Sequence, residues 1–290
     1  MFNGVYTAIV TPFLEDGRVD FDRFRKLIDF QIAGGVDGIV PVGTTGESPT
    51  LNFDEHHQVI EATVEACRGR VKVIAGTGGN ATAEALELTQ HAKEAGADGT
   101  LQVTPYYNKP NLSGLVQHFA TVADVGLPVV LYNVPGRSSL EISLQAVAEL
   151  ESHPHIVAIK EAGGSVDRVS QLVRQSPSLE VLSGDDALTL PMLVVGAVGV
   201  ISVASNIVPE RVCNLVHTAL RGDWETARQE HGQLHRLFSD LFLSTNPIPV
   251  KTALARMGKV EDVFRLPLSS MEPNLEALLE DCLRAYGLLS

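Results

Sequence analysis

The 290-residue chain is short of cysteine and of basic charge, and each shortage removes a class of function. Its three cysteines, Cys67, Cys213 and Cys282, are odd in number and far apart. They offer neither a disulfide framework nor zinc-ligand spacing, which fits a reducing cytoplasm. Lys and Arg total 22 against 35 Asp and Glu, a formal net charge of −13. With no basic patch to meet a phosphate backbone, nucleic acid is not an expected partner. The same balance repels anions at long range, so an acidic substrate must be held by local Arg, Thr and backbone N–H groups. The opening Met1-Phe2-Asn3-Gly4-Val5-Tyr6 lacks the charged and apolar regions of a signal peptide. No apolar run is long enough for a bilayer: residues 192–204 are too short and glycine-rich, and read as a buried strand. No membrane partner is expected, and no Ser/Gly-rich or Pro-rich linker divides the chain.

What is present is a globular composition, 44% hydrophobic and 20% charged. Apolar runs at 6–11, 38–42, 72–76, 99–104, 129–133, 156–160, 180–184 and 199–202 alternate with helical patterns. Most are apolar throughout, as parallel strands buried on both faces must be. Phe21, Phe24, Leu27, Ile28 and Ile32 form a helical stripe that stops at Gly34-Gly35, and a second helix runs from Asn80 to Gly96. Gly34-Gly35-Val36-Asp37-Gly38 and Ala95-Gly96-Ala97-Asp98-Gly99 are near repeats, each placing a C-cap glycine before a strand. Eight such units predict an α/β fold, a closed (β/α)8 TIM barrel. After about residue 205 only helical patterns remain. The expected organisation is a catalytic barrel over 1–224 and a helical appendage over 225–290 packed directly on it.

In such a barrel the active site lies at the C-terminal strand ends, which here collect hydroxyls, glycines, one Lys and one Arg. Lys160 closes the run Ile156-Val157-Ala158-Ile159. A strand-end lysine ordinarily extends its amine to water, but in a closed, polar barrel mouth a desolvated amine is a nucleophile that forms a Schiff base with a ketone. Tyr132 ends the neighbouring strand, where a phenol could shuttle protons rather than merely pack. Thr44, Thr45, Tyr106 and Tyr107 could extend that relay or bind a carboxylate. The Gly43-Thr44-Thr45-Gly46-Glu47-Ser48 loop has the look of an anion cradle, without the lysine of a P-loop. Arg137 is a candidate bidentate clamp for a second carboxylate, or an ordinary surface arginine. Asp185 and Asp186 invite a metal, but no strand end contributes a histidine to help them. His231 and His235 lie in the helical tail without the Glu of a zincin motif, so no metal is expected.

Together these motifs resemble the dihydrodipicolinate synthase family, within the pyruvate-dependent Schiff-base lyases that include N-acetylneuraminate lyase. The match runs nearly end to end. It rests on the rim segments named above together with Thr7-Ala8-Ile9-Val10-Thr11-Pro12-Phe13, Val103-Thr104-Pro105-Tyr106-Tyr107-Asn108, Leu131-Tyr132-Asn133-Val134-Pro135-Gly136-Arg137 and Asn246-Pro247-Ile248-Pro249-Val250-Lys251. The resemblance implies pyruvate and aspartate 4-semialdehyde as substrates, with no metal or organic cofactor. It implies that Lys160 condenses with pyruvate, that Tyr132 is proton donor and acceptor, and that Thr44 and a neighbouring subunit's Tyr107 complete a relay. Thr45, Gly184 and the backbone at Ile201 would line the pyruvate pocket, and Arg137 would hold the aldehyde's carboxylate. The family is typically a homotetramer, so self-association, at least as a dimer, is implied. Ser48, His56, Asn80, Glu84 and Tyr106 match the family's lysine-inhibition site, whereas Pro49 and Phe53 differ from its usual Ala and His. Ser138-Ser139 also departs from the usual Thr and small residue after the arginine. Two rival readings stand beside this one. The chain could be a related Schiff-base aldolase, lyase or hydratase acting on a sugar acid or hydroxy-oxo acid, or a non-catalytic sensor of keto or amino acids.

Overall fold

The computed structural model describes residues 1–289. Strand and helix alternate from the start: β1 (Gly4–Ala8), α1 (Phe21–Ala33), β2 (Gly38–Val40), α2 (Phe53–Cys67), β3 (Lys72–Gly76) and α3 (Thr82–Ala95). There follow β4 (Gly99–Val103), α4 (Leu112–Ala123), β5 (Val129–Asn133), the single turn α5 (Pro135–Ser138) and α6 (Leu144–Leu150). The second half adds β6 (Ile156–Glu161), α7 (Val166–Gln175), β7 (Glu180–Ser183), α8 (Thr189–Val194), β8 (Gly199–Ser202) and α9 (Pro209–Leu220). The strands are parallel and close in the order β1 to β8, with Gly4 of β1 registered on Gly199 of β8. This is the expected (β/α)8 barrel. Among the described residues, no helix is long and apolar enough to cross a membrane.

Two apolar layers sandwich the sheet. The inner one includes Tyr6, Val40, Ile74, Leu101, Val130, Ala158, Leu182 and Ile201, with Phe2 packed edge-on against Tyr6. Glycine makes room for both rings: a Cβ on Gly38 would lie 2.3 Å from Tyr6, and one on Gly99 2.6 Å from Phe2. The paired helix-to-strand repeats have a common purpose. Asp37 accepts the Val5 N–H at 2.7 Å and Asp98 the Val73 N–H at 2.8 Å, so each carboxylate ties an incoming strand to its predecessor.

Two sequence readings change. The apolar stretch 192–204 is not one strand: Met192 to Val194 belong to α8, and only Gly199–Ser202 pairs. A short, largely buried helix and a buried strand carry the same continuous apolar run, so periodicity cannot separate them. The first strand also leaves the ladder earlier than 6–11 implies, because the Val10 N–H donates to Asn206 Oδ1 rather than to a neighbouring strand.

Beyond α9 lie α10 (Trp224–Asp240), α11 (Ile248–Arg256) and α12 (Pro273–Ala285). Leu234, Leu237, Phe238, Val250, Leu254, Leu279 and Leu283 join the same outer apolar cluster as the barrel helices. The most deeply buried polar contact across this packing is ionic. Lys251 of α11 and Glu47 of the β2 loop form a wholly buried ion pair. The amine lies 4.3 Å from the Phe13 ring centre and donates to the Val263 carbonyl at 2.9 Å. Desolvation pulls the Lys251 amine below the usual lysine range, while the Glu47 charge opposes that pull.

Removing one partner leaves the other charge buried and alone. Lys251→Ala is therefore expected to lower the unfolding free energy by about 3–5 kcal/mol in denaturant titration. Replacing both with apolar residues of similar size should recover much of that loss.

Candidate active site

The C-terminal strand ends carry a cavity of about 150 Å³ lined by Thr44, Thr45, Tyr132, Arg137, Lys160, Gly184 and Asn246, among others. Lys160 is 6% exposed and Tyr132 7%, so both functional groups sit inside the mouth rather than on the surface. Tyr132 is registered on Lys160 across the β5–β6 ladder, and the amine lies 4.3 Å from the centre of the phenol ring. Gly184 at the end of β7 leaves the lysine its space. A Cβ there would fall 3.0 Å from Lys160 Cε and 2.7 Å from Ala162 Cβ. The neighbouring Glu161 carboxylate is engaged on the other face of the sheet by Asn133, Arg168 and the Gly163 N–H. No residue described here makes a salt bridge to Lys160.

The β2 loop presents Thr44 and Thr45 through a strained backbone. Val42 has φ +48° and Glu47 φ +54°, and the former is a rare conformation for a β-branched residue. Gly76 permits it, since a Cβ there would meet the Val42 carbonyl at 2.5 Å. The loop is less of a cradle than its glycines suggest. The Gly46, Glu47 and Ser48 N–H groups donate to the Gly43 and Thr44 carbonyls inside the loop. That leaves the Thr44–Thr45 end of the loop to line the cavity.

Asp185 and Asp186 serve the chain itself. The Asp186 carboxylate accepts from Ser202 Oγ at 2.6 Å and from the Val203 and Ala204 N–H groups at 2.9 Å, and burial pushes its acidity down, raising its pKa. Asp185 accepts the Ala187 and Leu188 N–H groups. Among the described residues, no group of three or more His, Cys, Asp or Glu is placed to hold a metal ion.

The sequence candidates do not all converge. Ile201 lies buried in the inner layer, and it is Val203 that faces the cavity from the β8 end. Tyr107 is 92% exposed with φ +70°, and its ring lines neither the reaction cavity nor its neighbour. The neighbour is a second cavity of about 380 Å³ that shares Thr44, Tyr132 and Arg137 with the first. Ser48, His56, Glu84 and Tyr106 line it together with Pro49 and Phe53, while Asn80 does not. Instead the Asn80 carbonyl accepts from Asn108 Nδ2. Burial pushes the His56 imidazole down to about 4, so it is neutral near pH 7. Its Nε2–H donates to the Gly76 carbonyl at 2.9 Å, and its Nδ1 is buried without a partner.

Sequence reasoning missed Asn246 as a site residue. It donates from Nδ2 to Thr45 Oγ1 at 3.0 Å, and its carbonyl accepts from Arg137 Nη2 at 3.0 Å. The only signal was the Asn246-Pro247 motif, whose partner Thr45 lies 201 positions away.

The chain matches the profile of the Dihydrodipicolinate synthetase family over residues 1–286. It is 53% identical to the 4-hydroxy-tetrahydrodipicolinate synthase of Aquifex aeolicus, across 99% of each chain. It is 50% identical to that of Geobacter sulfurreducens across the whole of both. The crystal structure of the Aquifex aeolicus dihydrodipicolinate synthase superposes with a TM-score of 0.97 over 99% of each chain, at 52% identity. That of the Acinetobacter baumannii enzyme, solved in complex with pyruvate, superposes with a TM-score of 0.98 over 100% of each, at 41% identity. The chain belongs to the dihydrodipicolinate synthetase family.

Proposed function

We propose that this protein is a lyase that condenses pyruvate with L-aspartate 4-semialdehyde to give 4-hydroxy-tetrahydrodipicolinate, in diaminopimelate and lysine biosynthesis. The observation that carries the reading is the buried Lys160 amine beside the Tyr132 phenol in a cavity at the barrel mouth. In this scheme the Lys160 amine attacks the pyruvate ketone, and the carbinolamine oxygen leaves as water with a proton delivered by Tyr132. Tyr132 then takes up a methyl proton to give an enamine whose carbon bonds to the aldehyde carbon, and it returns that proton to the aldehyde oxygen. Attack by the substrate's own amino group at the Schiff-base carbon closes the ring and returns Lys160. No metal or organic cofactor enters the scheme.

Thr45 and the space beside Gly184 receive the pyruvate carboxylate, and the backbone near Ile201 closes that pocket from below. Arg137, on the single turn α5, holds the carboxylate of the aldehyde. Thr44 links Tyr132 to Tyr107 of a second copy. An aromatic ring left 92% exposed on a left-handed backbone supports a position shared across an interface. We therefore read the working form as a homotetramer, or at least a dimer. Residues 1–224 are its catalytic barrel and 225–290 its helical brace. Three free, buried thiols suit work in the cytoplasm.

The second cavity, with Ser48, His56, Glu84 and Tyr106, is an effector site in this reading. Phe53 there offers a phenyl ring where a hydrogen-bonding side chain could meet a polar effector, which weakens the response to lysine.

Two outcomes are expected. Purified protein consumes pyruvate with aspartate 4-semialdehyde, and Arg137→Ala raises the aldehyde KM about 10–100-fold while sparing that of pyruvate, the loss of a charge-assisted bond. Absence of turnover, or an unchanged aldehyde KM, counts against the assignment. In lysine titrations, Phe53→His is expected to lower the half-inhibiting concentration about 5–10-fold, the effect of one added hydrogen bond.

A further inference from the structure

Thr45 follows β2 and Arg137 follows β5, yet both make a hydrogen bond to Asn246, which belongs to no barrel strand. We propose that Asn246 is a positioning residue that locks the keto-acid and aldehyde subsites to one another. The proposal rests on the assignment of Thr45 and Arg137 to the two substrate carboxylates.

The geometry divides the work between side chain and backbone. A hydroxyl has one proton and two acceptor sites. By donating Nδ2–H to Thr45 Oγ1, Asn246 fills an acceptor site and leaves the single proton to be given to a carboxylate. On the other side, the Asn246 carbonyl takes one donor of Arg137 and fixes the plane of the guanidinium. Its remaining N–H groups stay available for a bidentate partner. One peptide unit therefore sets the direction of both anion-binding groups.

Asn246 is itself held firmly. It is 7% exposed, and the turn into α11 is closed by Ile248 N–H to the Thr245 carbonyl at 2.9 Å and Lys251 N–H to the Pro247 carbonyl at 3.0 Å. The buried Lys251 then grips Glu47, two positions beyond Thr45. The contacts form a closed ring, from Thr45 to Asn246, along α11 to Lys251, across to Glu47 and back along the β2 loop. A space-filling role explains Asn246 poorly. Its Oδ1 is buried without a partner, so an asparagine there carries a desolvation cost that an apolar residue of like size would avoid. The amide is explained by the bond that its Nδ2 makes.

The test is a mutant cycle on the full-length assembly, with steady-state KM for each substrate. Asn246→Ala is expected to raise the pyruvate KM about 5–10-fold, as loss of one orienting bond does. The aldehyde KM moves much less, since alanine keeps the main-chain carbonyl that receives Arg137. In Thr45→Val the same substitution adds little further to the pyruvate KM. Asn246→Asp keeps the size of the side chain but draws the Thr45 proton toward itself. It should raise the pyruvate KM more than Ala does, and it carries the same cycle if the Ala variant fails to fold. Effects that multiply independently in the Thr45 cycle would reduce Asn246 to a structural residue and overturn the proposal. Should Thr45→Val alone leave the pyruvate KM unchanged, or Arg137→Ala the aldehyde KM, the carboxylate assignments fail first, a separate and recognisable result.

Discussion

The chemistry of this barrel depends on a one-residue irregularity in the β5–β6 ladder. Val129 is registered on Ile156, but the next pair is Val130 with Ala158, so Val157 is the extra residue. Every later pair inherits that shift, and Tyr132 meets Lys160 instead of Ile159. The parity matters as much as the distance. Ile159 belongs to the outer apolar layer, whereas Ala158 faces the interior with Val130 and Tyr132. The bulge brings inward-facing residues of the two strands level, and so places an amine beside a phenol inside the mouth. Gly184 then keeps the next strand clear of the lysine stem.

A buried amine is useful only if the groups that bind its substrate are as well fixed as the amine. Here that rigidity comes from outside the barrel. The α11 segment reaches over the β2 loop and contacts it twice, through Asn246 on Thr45 and through Lys251 on Glu47. The loop carries strain at Val42 and Glu47, and a strained loop persists only when its surroundings over-determine it. The Lys251–Glu47 charge pair supplies that determination. Its position between the C-terminal helices and the strained β2 loop accounts for an ionic contact in a packed interior, where an apolar pair could be at least as stable.

The barrel was legible because its cause is local and periodic. Eight mostly apolar runs, glycine C-caps and the twin Asp37 and Asp98 connections each report a physical requirement of a parallel strand. Lys160 and Tyr132 could be read from their places at strand ends. What stayed hidden depends on register and on long-range contact. Nothing in Ile156-Val157-Ala158 announces a bulge, since all three are apolar. Asn246 sits in a helical tail far from the loop it serves, and only the folded chain brings it to Thr45. The 192–204 run failed for the opposite reason, as composition there is clear but does not choose between helix and strand. Tyr107 lies outside the cavity of its own subunit, with its ring exposed to solvent.

The central claim is a covalent bond between Lys160 and a keto acid, and reductive trapping tests it most directly. The intact protein would be incubated with pyruvate and borohydride, digested, and mapped by mass spectrometry. The account predicts a pyruvate-derived adduct on the peptide that carries Lys160, approaching one per chain and lost in Lys160→Ala. An unmodified Lys160, or an adduct confined to another lysine, would contradict it.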